Sequence, residues 1–572
     1  MNQTPTTSDR PWLAAYPPGV PADIDPPDRA LTQILDGTVE RCGTRPALDF
    51  LGAVTTYREL GDAVARAAAA LHRLGVRPGT RVALVLPNCP QHVVAFYATL
   101  RLGGVVVEHN PLYTTDELGT QFADHGAEVA VCWSAAVGNV LPVRPHTVLS
   151  VDLSAALPAS RRLALRLPLP AARAARRALG PSRPPAGTLS WERTVARQTP
   201  LPAGHPHPQV SDIAVLQYTG GTTGTPKGAV LTHANLAANA AQSRAWAPGL
   251  ADGRETFLAV LPMFHAYGLT LCLTTAVSIA ARVVLLPRFD VDQALAAIRR
   301  TGPTFLPGVP PVYARLAETA PQRGVDLTSI RYALSGAMPL PAELVARWEE
   351  LTGGLLIEGY GMTETSPITV GNPLGPGRRV GSIGVPYPST RIRIADPHDP
   401  TRDAAAGSPG ELLVQGPQVF AGYWNRPEET AATLLPGGWV RTGDLVEADA
   451  DGFLRMVDRA KDIIITGGFN VYPSEVEDVL RRHPDVADAA VVGLPGPDGS
   501  ETVAAAVVPR PGRTPEPDQL RAHCREHLAG YKTPRRIRVV PELPRSMIGK
   551  ALHRQVRAEF LAAGDDGVPG GH

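Results

Sequence analysis

A chain of 572 residues is too long for a single hydrophobic core and predicts about two to four domains. Its 55 Lys+Arg balance 54 Asp+Glu, so no global field gathers polyanions, and no basic tract interleaved with aromatics supports nucleic-acid binding. Five widely spaced cysteines (Cys42, Cys89, Cys132, Cys272 and Cys524) form no metal-type pair or disulfide framework and fit a reducing cytoplasm.

The opening stretch, "MNQTPTTSDRPWLAAYPPGVP", lacks a basic-then-apolar signal and reads as a flexible segment over residues 1–28. Helical stretches such as "YRELGDAVARAAAALHRLG" (57–75) then alternate with apolar runs such as "RVALVLP" (81–87) and "GVVVEHN" (104–110), which predicts α/β layers on mostly parallel strands. The run "LTLCLTTAVSIAA" from Leu269 falls short of the roughly 20 residues of a membrane span and reads as a buried helix. The alternation returns at "ARVVLLP" (281–287), "VDQALAAIRR", "PTFLPGVP" and "RYALSGA". From about Gly384 the texture turns β-like, and after "DRAKD" (458–462) a compact α+β pattern follows. The expected organisation is a large domain over 29–460 with a β subdomain at 384–460, a small mobile domain over 461–560 and a disordered tail over 561–572.

"YTGGTTGTPKG" (218–228) lies between two β-like runs, "IAVLQY" and "GAVLTH", as a strand-loop-strand clip ahead of a helix near Ala234. Gly220, Gly221 and Gly224 let backbone approach an anion closely; Thr219, Thr222, Thr223 and Thr225 offer hydroxyls, and Lys227 supplies a point charge. Such a loop suits a mobile polyphosphate. A motor-type phosphate loop is disfavoured, because Pro226 precedes the lysine and a strand follows the loop.

The loop resembles the signature of the adenylate-forming (AMP-binding) superfamily. "PMFHAYG" (262–268), "SGAMPL" (335–340), "EGYGMTET" (358–365), "RTGDL" (441–445), "DRAKDIIITGGFNVYPSEVE" (458–477) and "LPRSMIGK" (543–550) agree, in the family's order. "PWLAAYPPGVP", "HNPLYTTDEL" (109–118) and Gly220 in place of serine look like the bacterial long-chain fatty acyl-CoA synthetase branch. The resemblance implies an ATP-, Mg²⁺- and CoA-dependent acid-thiol ligase. Residues 219–227 would hold the β- and γ-phosphates, Glu364 and Thr219 would ligate Mg²⁺, and the Thr363 hydroxyl would touch the α-phosphate. Tyr360, flanked by Gly359 and Gly361, would stack on adenine opposite Ser335, Gly336 and Ala337, with Glu358 and Met362 completing the AMP set. Asp444 and Arg459 would meet the ribose, His265 would stand where acyl and pantetheine channels join, and Lys550 would bridge carboxylate and α-phosphate during adenylation. Gly467 and Gly468 would border the CoA thiol path, and Lys461 would be the hinge.

The acceptor and the acid stay open at this point: a carrier-protein-loading acyl-AMP ligase and a ligase for an aryl or other carboxylate compete with a fatty acyl-CoA ligase. A silent ligand-sensing protein is a further class, against which the intact Lys550, Glu364, Asp444 and Arg459 argue. Oligomeric state is open, a homodimer included. The segment 161–183 carries seven arginines and no acidic residue amid Leu and Ala, and is weighed as a peripheral membrane contact against a solvated insertion.

Overall fold

In a computed structural model of the chain, the alternation of apolar runs and amphipathic stretches resolves into parallel sheets whose strands are connected by covering helices. The structure describes residues 10–181, 183–202, 204–219, 226–397, 399–405, 407–459, 462–466, 469–495, 501–546 and 549–562. Contacts divide the chain into two units: one takes Met1–Ile392, Val414–Val440 and Asp451–Phe453, the other Arg393–Leu413, Arg441–Ala450 and Leu454–His572.

The first unit holds two sheets. One has seven strands in the order Leu189–Ser190, Thr147–Val151, Val129–Trp133, Arg81–Val85, Val105–His109, Ile213–Thr219 and Lys227–Thr232, parallel except for its last pair. The other has nine, with Thr256–Ala259, Arg282–Leu285, Phe305–Gly308, Tyr332–Ser335 and Leu355–Gly361 parallel, and antiparallel strands at both edges. Strands buried on both faces read as continuous apolar runs, which is why "RVALV" and "VVVEH" show no alternation. Helix Tyr57–Arg73 begins on a reciprocal cap: the Glu59 backbone N–H donates to the Thr56 hydroxyl, and the Glu59 carboxylate accepts from the Thr56 backbone N–H.

The second unit is built on a three-stranded sheet, Val486–Pro495, Glu501–Pro509 and Arg536–Val539. Alternate side chains serve its two faces. Val491, Val503, Ala505 and Val507 join the cluster of Val476, Leu480, Leu520 and Cys524 from helices Pro473–Arg482 and Pro517–His527. Val492, Ala504 and Ala506 pack with Val556 and Phe560 of helix His553–Ala562.

The structure differs from the sequence reading in several places. From Arg10 onward the proline-rich start is seated rather than loose: Trp12 is buried, the Tyr16 ring meets Trp246 edge-on at 5.1 Å, and its hydroxyl donates to the Pro386 carbonyl at 2.7 Å. Burial of Trp12 and the packing of the half-buried Tyr16 offset the ordering cost of a segment whose prolines already restrict the unfolded chain. At the other end, residues 561 and 562 finish the last helix, and 563–572 lie outside the described residues. The buried segment at Leu269 is helical as expected, with π-type turns over Leu269–Thr275 and α-helix over Ala276–Ser278. Among the described residues no helix is long and apolar enough to cross a membrane.

Candidate active site

The parallel strands of the nine-stranded sheet run in register, Gly308 beside Ser335 and Ser335 beside Glu358, so the segments 335–337 and 358–361 lie at adjacent carboxyl ends, where open α/β sheets bind ligands. Both segments are pressed against their neighbours. A Cβ on Gly336 would stand 3.3 Å from the Tyr267 ring, whose hydroxyl donates to the Leu334 carbonyl at 2.7 Å. A Cβ on Gly359 would meet Leu334 Cδ1 at 3.1 Å, and one on Gly361 would lie 1.8 Å from the Pro367 carbonyl oxygen, a contact no side chain can make. The glycines therefore hold Tyr360 between two closely packed positions, paired across the antiparallel ladder with Val370. Ala337 adopts a left-handed φ of 66°. Burial pushes the Glu358 carboxyl up to about 8, so it is largely protonated at neutral pH. Met362 donates its N–H to the Pro367 carbonyl at 3.0 Å, and Thr363 opens the short 3₁₀ turn Thr363–Thr365 that carries Glu364.

The glycine loop is closed by an antiparallel hairpin that sets Thr219 directly opposite Lys227. Gly220, Gly221, Thr222, Thr223, Gly224 and Thr225 lie outside the described residues. A second segment aligns with the outgoing strand. Val230 donates to the Gly422 carbonyl at 2.9 Å, Ala421 to Val230 at 3.0 Å and Trp424 to Gly228 at 2.8 Å. This pairing carries Tyr423 to the loop's exit, its ring 5.3 Å from Lys227 Nζ and its hydroxyl donating to Glu364 Oε1 at 2.5 Å. Glu364 is buried, and its carbonyl accepts from the Phe420 N–H at 2.9 Å. Thr219, Lys227 and Glu364 are thus gathered by one ladder and one hydroxyl. A carboxylate and a threonine hydroxyl are oxygen donors of the kind a hard divalent cation takes.

The incoming strand is tied to the "PMFHAYG" segment by Gln217 Nε2 donating to the Phe264 carbonyl at 2.7 Å. His265 follows, its Nδ1 accepting from the Tyr267 N–H at 3.3 Å. Burial lowers its pKa to about 4, so the ring is neutral at physiological pH and offers shape and hydrogen bonding rather than charge.

Asp444 and Arg459 face each other across an antiparallel pair in the second unit and form an ion pair of 3.1 Å. The turn that presents Asp444 is organised by Glu411, buried in strand Gly410–Gln415. Its carboxylate accepts from Arg441 Nη2 at 2.6 Å and from the Gly443 N–H at 3.1 Å. Gly443 takes a φ of 69° at that turn, and the Thr442 hydroxyl accepts from the Asp444 N–H at 3.1 Å. Lys550 ends a tight loop in which the Ser546 N–H donates to the Lys550 carbonyl at 2.7 Å and Gly549 adopts a φ of 82°. Arg545 spans that loop, donating to the Gly549 carbonyl at 2.6 Å and pairing with Asp488. Lys461, Gly467 and Gly468 lie outside the described residues.

Two participants escaped the sequence reading. Tyr423 sits 59 residues from Glu364 and arrives only through strand pairing. Glu411 is the one acidic residue in the apolar stretch "GELLVQ", a position where burial of a charge demands a partner and so offered a signal.

Residues 35–424 match the AMP-binding enzyme family, and residues 475–550 match the AMP-binding enzyme C-terminal domain. A long-chain-fatty-acid–CoA ligase of Bacillus subtilis is 37% identical over 558 residues, 96% of this chain and 98% of the relative. A feruloyl-CoA synthase of an Amycolatopsis species is 37% identical over 513 residues, 89% of this chain and 94% of the relative. Among solved structures, ATP-bound MatB from Rhodopseudomonas palustris superposes with a TM-score of 0.80 at 30% identity, covering 93% of this chain and 99% of that one. With its fold shared and both domain patterns matched in order, the chain belongs to the adenylate-forming AMP-binding enzymes.

Proposed function

We propose that the protein is an AMP-forming acyl-CoA ligase: a carboxylate attacks the α-phosphorus of ATP, giving acyl-AMP and pyrophosphate, and the CoA thiol then displaces AMP to give the thioester. Medium- to long-chain fatty acids are the proposed substrates. The observation that carries the reading is the hairpin that sets Thr219 opposite Lys227, with Tyr423 joining Lys227 to Glu364, since the obstacle to adenylation is electrostatic: an anion must attack a polyanion. Relatives of nearly the same length that are named long-chain-fatty-acid–CoA ligases support the acid class. An aryl acid is the second reading, favoured by the equally similar feruloyl-CoA synthase.

In this reading Lys227 and the loop after Thr219 bind the β- and γ-phosphates. Tyr360 stacks on adenine, against the wall formed by Ser335, Gly336 and Ala337. Asp444 accepts from the ribose hydroxyls, with Arg459 beside it. Thr363 donates to the α-phosphate. Glu364, oriented by Tyr423, and Thr219 would hold Mg²⁺, which supplies charge neutralisation on the phosphates when bound. Lys550 brings its ammonium to the developing charge. Neutral His265 shapes the junction through which the acyl chain and pantetheine meet. The small domain over 461–560 alternates between steps about Lys461, presenting Lys550 for adenylation and the Gly467–Gly468 face for thioester formation. Asp458, just ahead of that hinge, accepts from the Ser474 N–H and hydroxyl at 3.0 Å each, bonds across the hinge that the alternation would have to break. Five free cysteines, four of them buried, support a cytoplasmic setting.

The segment 161–183 is proposed as a peripheral contact with anionic membrane. Its helices Ala159–Ala164 and Pro170–Leu179 bury no residue, and among the described residues Leu163, Leu167 and Leu169 are large apolar side chains left exposed. Exposed leucines beside arginines suit a headgroup layer.

CoA-dependent AMP release across carboxylates from acetate to oleate, with an aryl acid included, tests the substrate class. Fatty acids of medium to long chain are expected to dominate, and a strong preference for acetate or the aryl acid overturns that assignment. Alternation predicts a split between half-reactions. Lys550→Ala lowers acyl-AMP formation on the order of 10²-fold yet still converts supplied acyl-AMP to acyl-CoA. Gly468→Leu and Lys461→Pro do the converse, the first by blocking the thiol path and the second by fixing φ. Equal loss of both half-reactions in Lys550→Ala rules the alternation out. Co-sedimentation with phosphatidylserine vesicles is expected to fall when Arg173, Arg176 and Arg177 are changed to Glu; unchanged co-sedimentation removes the membrane contact.

A further inference from the structure

Helix Pro517–His527 turns Leu520 and Cys524 into the core of the second unit and leaves His523, Glu526 and His527 on its outer side, His523 half-buried and the other two exposed. Spacings of three and four residues place these side chains on one helix face. One ligating atom from each lies within 4.8 Å of those of the other two.

The imidazoles are held in definite orientations. His523 Nε2 is 3.0 Å from the Val479 carbonyl oxygen, and His527 Nδ1 is 2.9 Å from the His523 carbonyl oxygen. A carbonyl oxygen only accepts, so each of these nitrogens carries the proton. The lone pairs of the neutral rings are then on His523 Nδ1 and His527 Nε2. A backbone carbonyl that fixes the tautomer and angle of a ligating histidine is the usual outer partner of such sites. The His483 ring abuts His523 edge-on at 5.2 Å, with its Nδ1 accepting from the Asp485 N–H at 3.3 Å, and so braces His523.

We propose that His523, Glu526 and His527 form a binding site for a borderline transition-metal dication, Zn²⁺ foremost, apart from the proposed nucleotide machinery. Two imidazoles and one carboxylate match tetrahedral Zn²⁺ with a fourth position left for water or an exchangeable ligand. Imidazole donors select against Mg²⁺ and Ca²⁺, and affinity is expected to follow the usual first-row order, with Cu²⁺ above Ni²⁺ and Co²⁺. Because the ligands belong to the last turn of a helix packed on the domain core, the bound ion ties that turn together and stabilises the folded unit by mass action.

Calorimetric titration of Zn²⁺ into the chelator-stripped, nucleotide-free full chain, in excess Mg²⁺ to fill oxygen-donor sites, tests the proposal. One equivalent is expected in the wild type, with binding at least about tenfold weaker in His527→Ala and in Glu526→Gln, as loss of a direct ligand costs no less than loss of an outer partner. Co²⁺ in place of Zn²⁺ is expected to give the visible absorption of a tetrahedral site in the wild type and not in His527→Ala. His527 and Glu526 are exposed, so both variants should keep the metal-free melting temperature, and that measurement is made alongside. No Zn²⁺ binding by the wild type, or an unchanged equivalent in both variants, overturns the site.

Discussion

The Tyr423 hydroxyl on the Glu364 carboxylate is the contact that links the end of the glycine loop to the turn carrying Glu364, the region proposed to take the phosphates. A buried carboxylate is tolerated only where donors replace water, and Glu364 is buried at the tip of a short turn with no regular ladder of its own. The donor is delivered by main-chain pairing of residues 421–424 along strand Lys227–Thr232, whose first residue is the lysine of the glycine loop. The same strand therefore places a cation and, through its neighbour, orients an anion. In the proposed reading phosphate and a hard cation need opposite charges close together, and the shared strand brings Lys227 and, through Tyr423, Glu364 to one place.

The end proposed to take the nucleotide obeys a packing constraint. Parallel strands in register leave 335–337 and 358–361 side by side; space is tight where these segments pass Tyr267 and Leu334, and glycine is required where they pass Pro367. The clearest case is Gly361, where any Cβ would overlap a carbonyl oxygen. Selection of glycine here follows from backbone-to-backbone approach, and the benefit is an aromatic, Tyr360, held between two positions that cannot shift. In the second unit the equivalent economy is made with charge: Glu411 satisfies a turn N–H and a guanidinium at once, and the turn presents Asp444.

Much of this was legible in the sequence because the information was local. Apolar runs such as "RVALV" and "IAVLQY" became strands within a residue or two of their expected limits, and "VDQALAAIRR" a helix, since burial on both faces or on one stripe writes its period directly into the chain. Gly336, Gly359 and Gly361 stood out in the sequence, but the neighbours that press on the first two, Tyr267 and Leu334, lie far away in the chain. Tyr423 and Glu411 were not legible, because a tyrosine in "FAGYW" or a glutamate opening "ELLV" acquires meaning only from residues far away in the chain. The start of the chain misled for a related reason. Prolines suggested looseness, whereas Trp12 and Tyr16 find their partners across hundreds of residues, at Gly452, Trp246 and Pro386.

The part that the Tyr423 hydroxyl plays at the proposed phosphate site is tested most directly by Tyr423→Phe, which removes a hydrogen bond to a charged group and leaves the ring over Lys227 in place. Adenylation kcat/KM for Mg-ATP is expected to fall about 10- to 100-fold, the cost of such a bond. Conversion of supplied acyl-AMP to acyl-CoA and the melting temperature should change little. Adenylation at the wild-type rate, or an equal fall in both half-reactions, would contradict the account.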